Sequence, residues 1–144
     1  MLRKLFVAVA LALSLSPAAW GGDAKDDTLQ GTWRPSAAEL GGQVFPDEVR
    51  KTIKLVIRDD KYTVTFGKQI DRGTVKLMPL ATPKAMDITG TESPNRGKTI
   101  PAIYELKGDT LRVCYDLSGE ARPSGFKSEA DTKLFLVDYE RKKP

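Results

Sequence analysis

The feature that most constrains the fold is a period-two alternation of apolar and polar residues in short segments. In its clearest form it places Ile53, Leu55 and Ile57 on one face of an extended chain. Turn-forming residues such as Asp59-Asp60 and Gly67-Lys68 separate the segments, and connections this short join antiparallel neighbours. The pattern predicts eight strands, at residues 29–38, 49–58, 61–67, 72–78, 84–89, 100–107, 110–116 and 132–140.

Eight short strands in sequence order predict an all-β protein, either an antiparallel up-and-down barrel or a two-sheet sandwich. The barrel is preferred, because full closure leaves no unpaired strand edge. Helix is expected only at residues 46–51, where Pro46 precedes two acidic residues. No repeat or linker divides the chain, so residues 23–144 are predicted to form a single barrel domain.

Residues 1–22 have the character of a signal peptide. Two basic residues precede an uncharged apolar run at 5–15, and small residues follow, which predicts cleavage after Ala18 or after Gly21. The alternative is an uncleaved anchor, but the run is short for a hydrocarbon layer of ~30 Å. Export to the periplasm, the cell envelope or the medium is therefore expected, with no transmembrane segment after cleavage.

The chain has no histidine, which excludes Ser-His and Cys-His nucleophile systems and His-containing zinc sites. Removing Arg3 and Lys4 from the 23 basic residues leaves 21 against 19 acidic ones. Because the basic residues are scattered among the acids, they predict a mixed solvated face and no nucleic-acid partner.

Two groups of residues suggest chemistry without supplying its full pattern. Gly97-Lys98-Thr99 is like the end of a phosphate-binding loop, but Glu92 stands where that loop needs a glycine. Asp59-Asp60, Asp71 and Asp87 offer carboxylates for acid–base work or Ca²⁺, yet they lack the spaced ligands of a calcium loop. We therefore expect no catalytic residues, no cofactor and no metal site.

Cys114 is the only cysteine, so an intramolecular disulfide is excluded. It lies on the opposite parity from Val113 and Tyr115, which predicts a small residue packed on a strand. The alternative, a reactive thiol, has only Arg112 as a local activating cation. Residues 118–131 form the longest irregular stretch, either a rim loop that gates the barrel or contacts a partner, or a long connection.

A longer series of residues carries a family resemblance, in order and in spacing. It runs over about residues 28–141 and includes Leu29-Gln30-Gly31-Thr32-Trp33, Gly41-Gly42, Asp60-Lys61-Tyr62, Gly73-Thr74-Val75-Lys76-Leu77, Gly108-Asp109-Thr110-Leu111 and Arg122-Pro123. The series resembles a family of small exported lipocalin-like proteins found mainly in planctomycete bacteria. The resemblance implies a fold and a location more than a biochemical activity.

The resemblance also implies how the barrel is closed. Gly31-Thr32-Trp33 looks like the Gly-x-Trp of the first lipocalin strand, whose indole closes the base, with a basic residue from beyond the last strand packed over it. Arg141 is the matching candidate, and its guanidinium would gain a cation–π contact. The alternative is that Arg141 is one charge of a basic tail.

Strand parity predicts an interior set that includes Tyr62, Phe66, Tyr104 and Tyr115. These four are the candidate binding residues for a small apolar or amphipathic ligand, since they combine apolar area with phenolic hydroxyls. A packed core is nevertheless preferred over a pocket. The functions left open are a non-enzymatic exported binding module, a cell-envelope interaction or structural domain with a packed barrel core and, least favoured, an enzyme.

Overall fold

The computed structural model describes residues 29–143, and the predicted signal peptide lies outside them. The regular structure of the described chain is β-strand apart from one short helix. Its elements are β1 Gly31–Leu40, β2 Gln43–Val44, α1 Asp47–Arg50, β3 Ile53–Arg58, β4 Lys61–Phe66, β5 Gln69–Met78, β6 Ala85–Gly90, β7 Thr99–Lys107, β8 Thr110–Asp116 and β9 Leu134–Arg141.

The sheet is a closed antiparallel up-and-down barrel of eight strands, as the alternation predicts. From β3 to β9 every strand pairs with the next, and β1 completes the ring by pairing with both β3 and β9. The two-residue β2 adds to the end of β1, where Glu39 lies opposite Val44. Closure between the first and last strands excludes the two-sheet sandwich.

Three hairpin loops of two residues set the register of the barrel. Asp59, Gly67 and Gly108, the first residues of these loops, have φ angles of 59°, 63° and 61°. Positive φ costs glycine nothing, so Gly67 and Gly108 suit these tight turns. The turns hold the alternating apolar positions of neighbouring strands on the same face of the sheet.

Register also defines the two ends of the barrel. Trp33 of β1 lies opposite Arg141 of β9 at one end, which we call the base. Leu40 lies opposite Phe135 at the other end, which we call the mouth, and β4 reaches the mouth at Phe66. The direction of each strand therefore tells how deep its inward residues lie.

A second, smaller core lies on the outer face of the barrel. Ala85, Ile103 and Cys114 form its buried centre, and Phe126 from the long connection between β8 and β9 packs against it. Arg122 ties this connection to the barrel by donating to the carbonyls of Met86 and Ala102, both at 3.1 Å, and to Asp87 at 2.8 Å. The connection therefore covers the outside of the barrel instead of forming only a rim loop.

Cys114 has the packed position that its parity predicts. Its side chain is fully buried, and its Sγ donates to the carbonyl of Lys127 at 3.3 Å. Burial raises the pKa of the thiol. A reactive thiolate is not favoured at such a position.

Two strand boundaries differ from the sequence prediction by more than two residues. β3 begins at Ile53 instead of 49, because Asp47–Arg50 turns as a helix with its acidic residues in the first turn. β5 begins at Gln69 instead of 72, because Gly67 and Lys68 alone make the turn. The earlier start of β5 brings Asp71 into the barrel wall.

Candidate functional site

The barrel encloses a cavity of about 420 Å³. Most of its lining is apolar, contributed by inward side chains of β3 to β9 and by Phe45 from the segment between β2 and α1. The preferred expectation of a filled interior is therefore wrong.

Three of the four predicted interior residues line this cavity. Tyr62, Phe66 and Tyr115 contribute to its wall. Tyr104 is buried in the interior core, as parity predicts, but it does not line the cavity. It lies two inward positions nearer the base than Ile100, which does line the cavity, so depth along β7 separates the two.

Asp71 is a cavity residue that the sequence analysis set aside. The hydroxyl of Tyr62 donates to Asp71 Oδ2 at 2.9 Å, whereas Asp71 Oδ1 is buried and has no protein hydrogen-bond partner. Alternation backwards from Val75 through Gly73 reaches Asp71 on the inward face, and that signal identifies it once β5 begins at Gln69. A carboxylate thus projects into an otherwise mostly apolar wall.

Gly73 makes room for the Tyr62 ring beside Asp71. Gly73 of β5 lies opposite Tyr62 of β4. A Cβ on Gly73 would come within 2.7 Å of Tyr62 Cε1 and within 2.0 Å of the Thr89 carbonyl oxygen. Burial raises the pKa of Tyr62, and its hydrogen bond to Asp71 raises it further. Tyr62 therefore remains a hydrogen-bond donor to Asp71 at neutral pH.

A second polar pair in the cavity is neutral. The hydroxyls of Tyr115 and Tyr139 lie 2.8 Å apart, and both side chains are buried. Burial raises the pKa of Tyr115, and it raises the pKa of Tyr139 to about 12. Each hydroxyl has the other as its partner, so the pair contributes polarity without charge.

Aromatic rings surround the mouth. The centroid of Phe45 lies 6.1 Å from that of Phe66 and 5.5 Å from that of Phe135, and Phe135 stacks on Tyr115 at 5.7 Å. Phe66 is 42% exposed although it lines the cavity. The cavity therefore reaches solvent at this end, between rings that cover part of the opening.

Phe45 reaches this position because its segment is tied to β1. Its backbone N–H donates to the carbonyl of Ala38 at 2.9 Å. In α1, Arg50 donates to the carbonyl of Pro35 at 2.9 Å and to Asp47 at 2.8 Å. The role of Phe45 could not be predicted from the sequence, because a single aromatic residue in a loop has no periodicity to reveal its direction.

The base is closed by the three residues that the resemblance indicated. The indole N–H of Trp33 donates to the carbonyl of Leu29 at 3.0 Å, and the guanidinium carbon of Arg141 lies 4.3 Å from the indole centroid. Arg141 also donates to the carbonyl of Gln30. Gly31 has a φ of 132°, and the Arg141 side chain lies beside its missing Cβ. Arg141 is therefore part of the closure and not only a charge in a tail.

Arg141 is also held by an acidic partner at the base. Its Nε donates to Asp109 at 2.9 Å, and Lys143 approaches the other oxygen of Asp109 at 2.9 Å. Hydrogen bonds from Lys143 and Arg141 hold the pKa of Asp109 below its usual value. The solvent opening beside Phe66 lies at the mouth, at the other end of the barrel from this ion pair.

Within residues 29–143, no three side chains from His, Cys, Asp and Glu come together in a way that could hold a metal ion. The same residues contain no helix long and apolar enough to cross a membrane. What the site can do chemically is enclose a mainly apolar molecule and present one carboxylate to it.

Comparison with known proteins adds no relative: no protein-family model, no curated protein and no solved structure matches this chain significantly.

Proposed function

We propose that this protein is an exported, non-enzymatic binding module of lipocalin type that holds a small apolar or amphipathic molecule inside its barrel. The observation that carries the proposal is the cavity of about 420 Å³ with its mostly apolar lining. Pockets for small molecules have volumes of roughly 300–1,000 Å³ and a similar lining, with few polar groups. The chain's leader-like first residues support export.

The cavity also weighs against the competing function. An envelope interaction or structural domain was expected to have a packed barrel core, because such a core gains stability from every filled volume. A protein that leaves this volume open forgoes dispersion contacts that larger lining side chains would make. A ligand that enters the cavity restores those contacts.

Equilibrium titration with Nile red, a neutral dye whose fluorescence depends on its surroundings, tests the proposal. We expect saturable binding at micromolar concentration to the wild-type domain. Val64→Trp should abolish it, because Val64 lines the cavity and a larger ring fills the space. Thr65→Trp is the matched control, since Thr65 is the next residue of β4 and points to the opposite face.

Circular dichroism and thermal unfolding establish that each variant is folded. Leu117→Trp gives a second blocking variant at the mouth, where Leu117 is 39% exposed and a large side chain is tolerated more easily. Absence of saturable binding to the wild type contradicts the proposal. Equal dye affinity in the wild type and both folded blocking variants contradicts it as well, since binding would then lie outside the barrel.

A further inference from the structure

Asp71 is the only charged residue among those that line the cavity. None of the other polar lining residues carries a charge at neutral pH. They are Gln69, Asn95, Tyr62, Tyr115 and Tyr139. No Lys or Arg of residues 29–143 forms an ion pair with Asp71. The cavity is therefore electrostatically one-sided, with a carboxylate and no compensating cation.

The hydrogen bonds of Asp71 are also incomplete. Tyr62 satisfies Oδ2, but no protein group donates to the buried Oδ1. The tyrosine hydroxyls that lie elsewhere in the cavity, on Tyr115 and Tyr139, already bond to each other. A buried carboxylate oxygen without a donor is costly, because burial removes hydration that nothing in the protein replaces.

Asp71 lies part-way down the cavity, with apolar lining residues both toward the mouth and toward the base. Asp71 is one inward position below Gln69, which begins β5 at the mouth, so strand rise puts it about 7 Å inside. Ile57 and Val75 line the cavity toward the base, and Phe66 lines it toward the mouth. A bound molecule in contact with Asp71 consequently buries its apolar part against these walls.

From this arrangement we infer that the ligand is an amphipathic amine, whose protonated nitrogen pairs with the carboxylate of Asp71 while its hydrocarbon part fills the cavity. The inference rests on the proposed function and narrows its ligand class. A cationic donor supplies the positive charge that the cavity lining lacks, and charge-assisted hydrogen bonds are the strong ones. A neutral alcohol supplies only the bond, and a carboxylate ligand meets repulsion from Asp71.

Three probes that differ only in their polar group separate these cases: decylamine, decanol and decanoate, each used below its micelle-forming concentration. Isothermal titration calorimetry at pH 7 measures their affinities for the full domain, and at this pH an alkylamine is protonated. We expect decylamine to bind about tenfold or more tighter than decanol, the scale of a hydrogen bond to a charged group. Decanoate should bind more weakly than decanol.

Asp71→Asn tests the residue itself, since it keeps the shape of the side chain and removes its charge. Decylamine affinity should fall about tenfold, whereas decanol affinity should change by less than about threefold. Asp131→Asn is the matched control for loss of one negative charge. Asp131 is exposed, does not line the cavity and has a φ of 64°, a conformation that asparagine tolerates.

Tyr62→Phe provides a second variant that leaves the Asp71 charge in place. It removes the present donor to Oδ2, so the preference for decylamine over decanol should persist or increase. Equal affinities for the three probes, or an unchanged preference in folded Asp71→Asn, would overturn the inference and leave the proposed function standing. Failure of all three probes to bind would overturn the proposed function and the inference with it.

Discussion

Removal of the Trp33 indole should reveal how strongly the base of the barrel depends on one contact. Trp33 is fully buried and holds the Leu29 carbonyl through its N–H. Replacement of a buried Trp by Ala removes a large apolar surface and leaves a cavity, which costs about 3–5 kcal/mol of unfolding free energy. Trp33→Phe keeps an aromatic face but loses the N–H donor, and should cost about 1–2 kcal/mol.

Arg141→Ala removes the other half of the contact. The guanidinium carbon lies 4.3 Å from the indole centroid, where a cation–π interaction contributes ~0.5–2 kcal/mol. The donor to the Gln30 carbonyl is lost as well, and the exposed ion pair with Asp109 adds little. Arg141→Ala should therefore cost about 1–3 kcal/mol, less than Trp33→Ala.

A double-mutant cycle separates the pair from its surroundings. Urea unfolding followed by far-ultraviolet circular dichroism gives the free energies, because Trp33 is the only tryptophan of residues 29–143 and its fluorescence is lost in the variants. We expect the double variant to cost less than the sum of the singles by about 0.5–2 kcal/mol. Additivity within ~0.3 kcal/mol would refute the coupling.

Gly73→Ala should destabilise the barrel by about 1–3 kcal/mol, because its Cβ would lie 2.0 Å from the Thr89 carbonyl oxygen; thermal unfolding measures the loss, and an unchanged midpoint contradicts the geometry. Alkaline pH should destabilise the fold through Tyr139, whose pKa burial raises to about 12. Its contribution is complete below pH 10 and falls by about 2–3 kcal/mol toward pH 12. Urea titrations should show a smaller decline in Tyr139→Phe; equal declines contradict this assignment.

Alternation predicted the barrel because it determines which way each side chain points. Ile53, Leu55 and Ile57 leave only one face of β3 for the core, and two-residue turns leave only antiparallel neighbours. The same rule placed Tyr62 and Phe66 correctly on the cavity side. Direction, in other words, follows from local geometry and needs no knowledge of the rest of the fold.

The volume of the cavity and the depth at which each inward side chain lies do not follow from alternation. Tyr104 and Tyr115 share the inward face, but only Tyr115 lines the cavity, since the distinction depends on where β7 and β8 cross the barrel. Asp71 was left out of the interior set because the predicted strand began at 72, whereas β5 begins at Gln69. Whether a barrel interior is filled depends on the summed volume of all inward side chains, and parity alone does not give that volume.

The pairing of β1 with β9 brings both ends of residues 29–143 to the base. The backbone N–H of Lys142 donates to the carbonyl of Thr32 at 2.8 Å, so the chain enters and leaves the barrel side by side. The mouth, with Phe45 and Phe66, is at the opposite end. A domain immobilised on a sensor surface through either terminus therefore faces the solution with its opening, and both attachments should give the same ligand affinity.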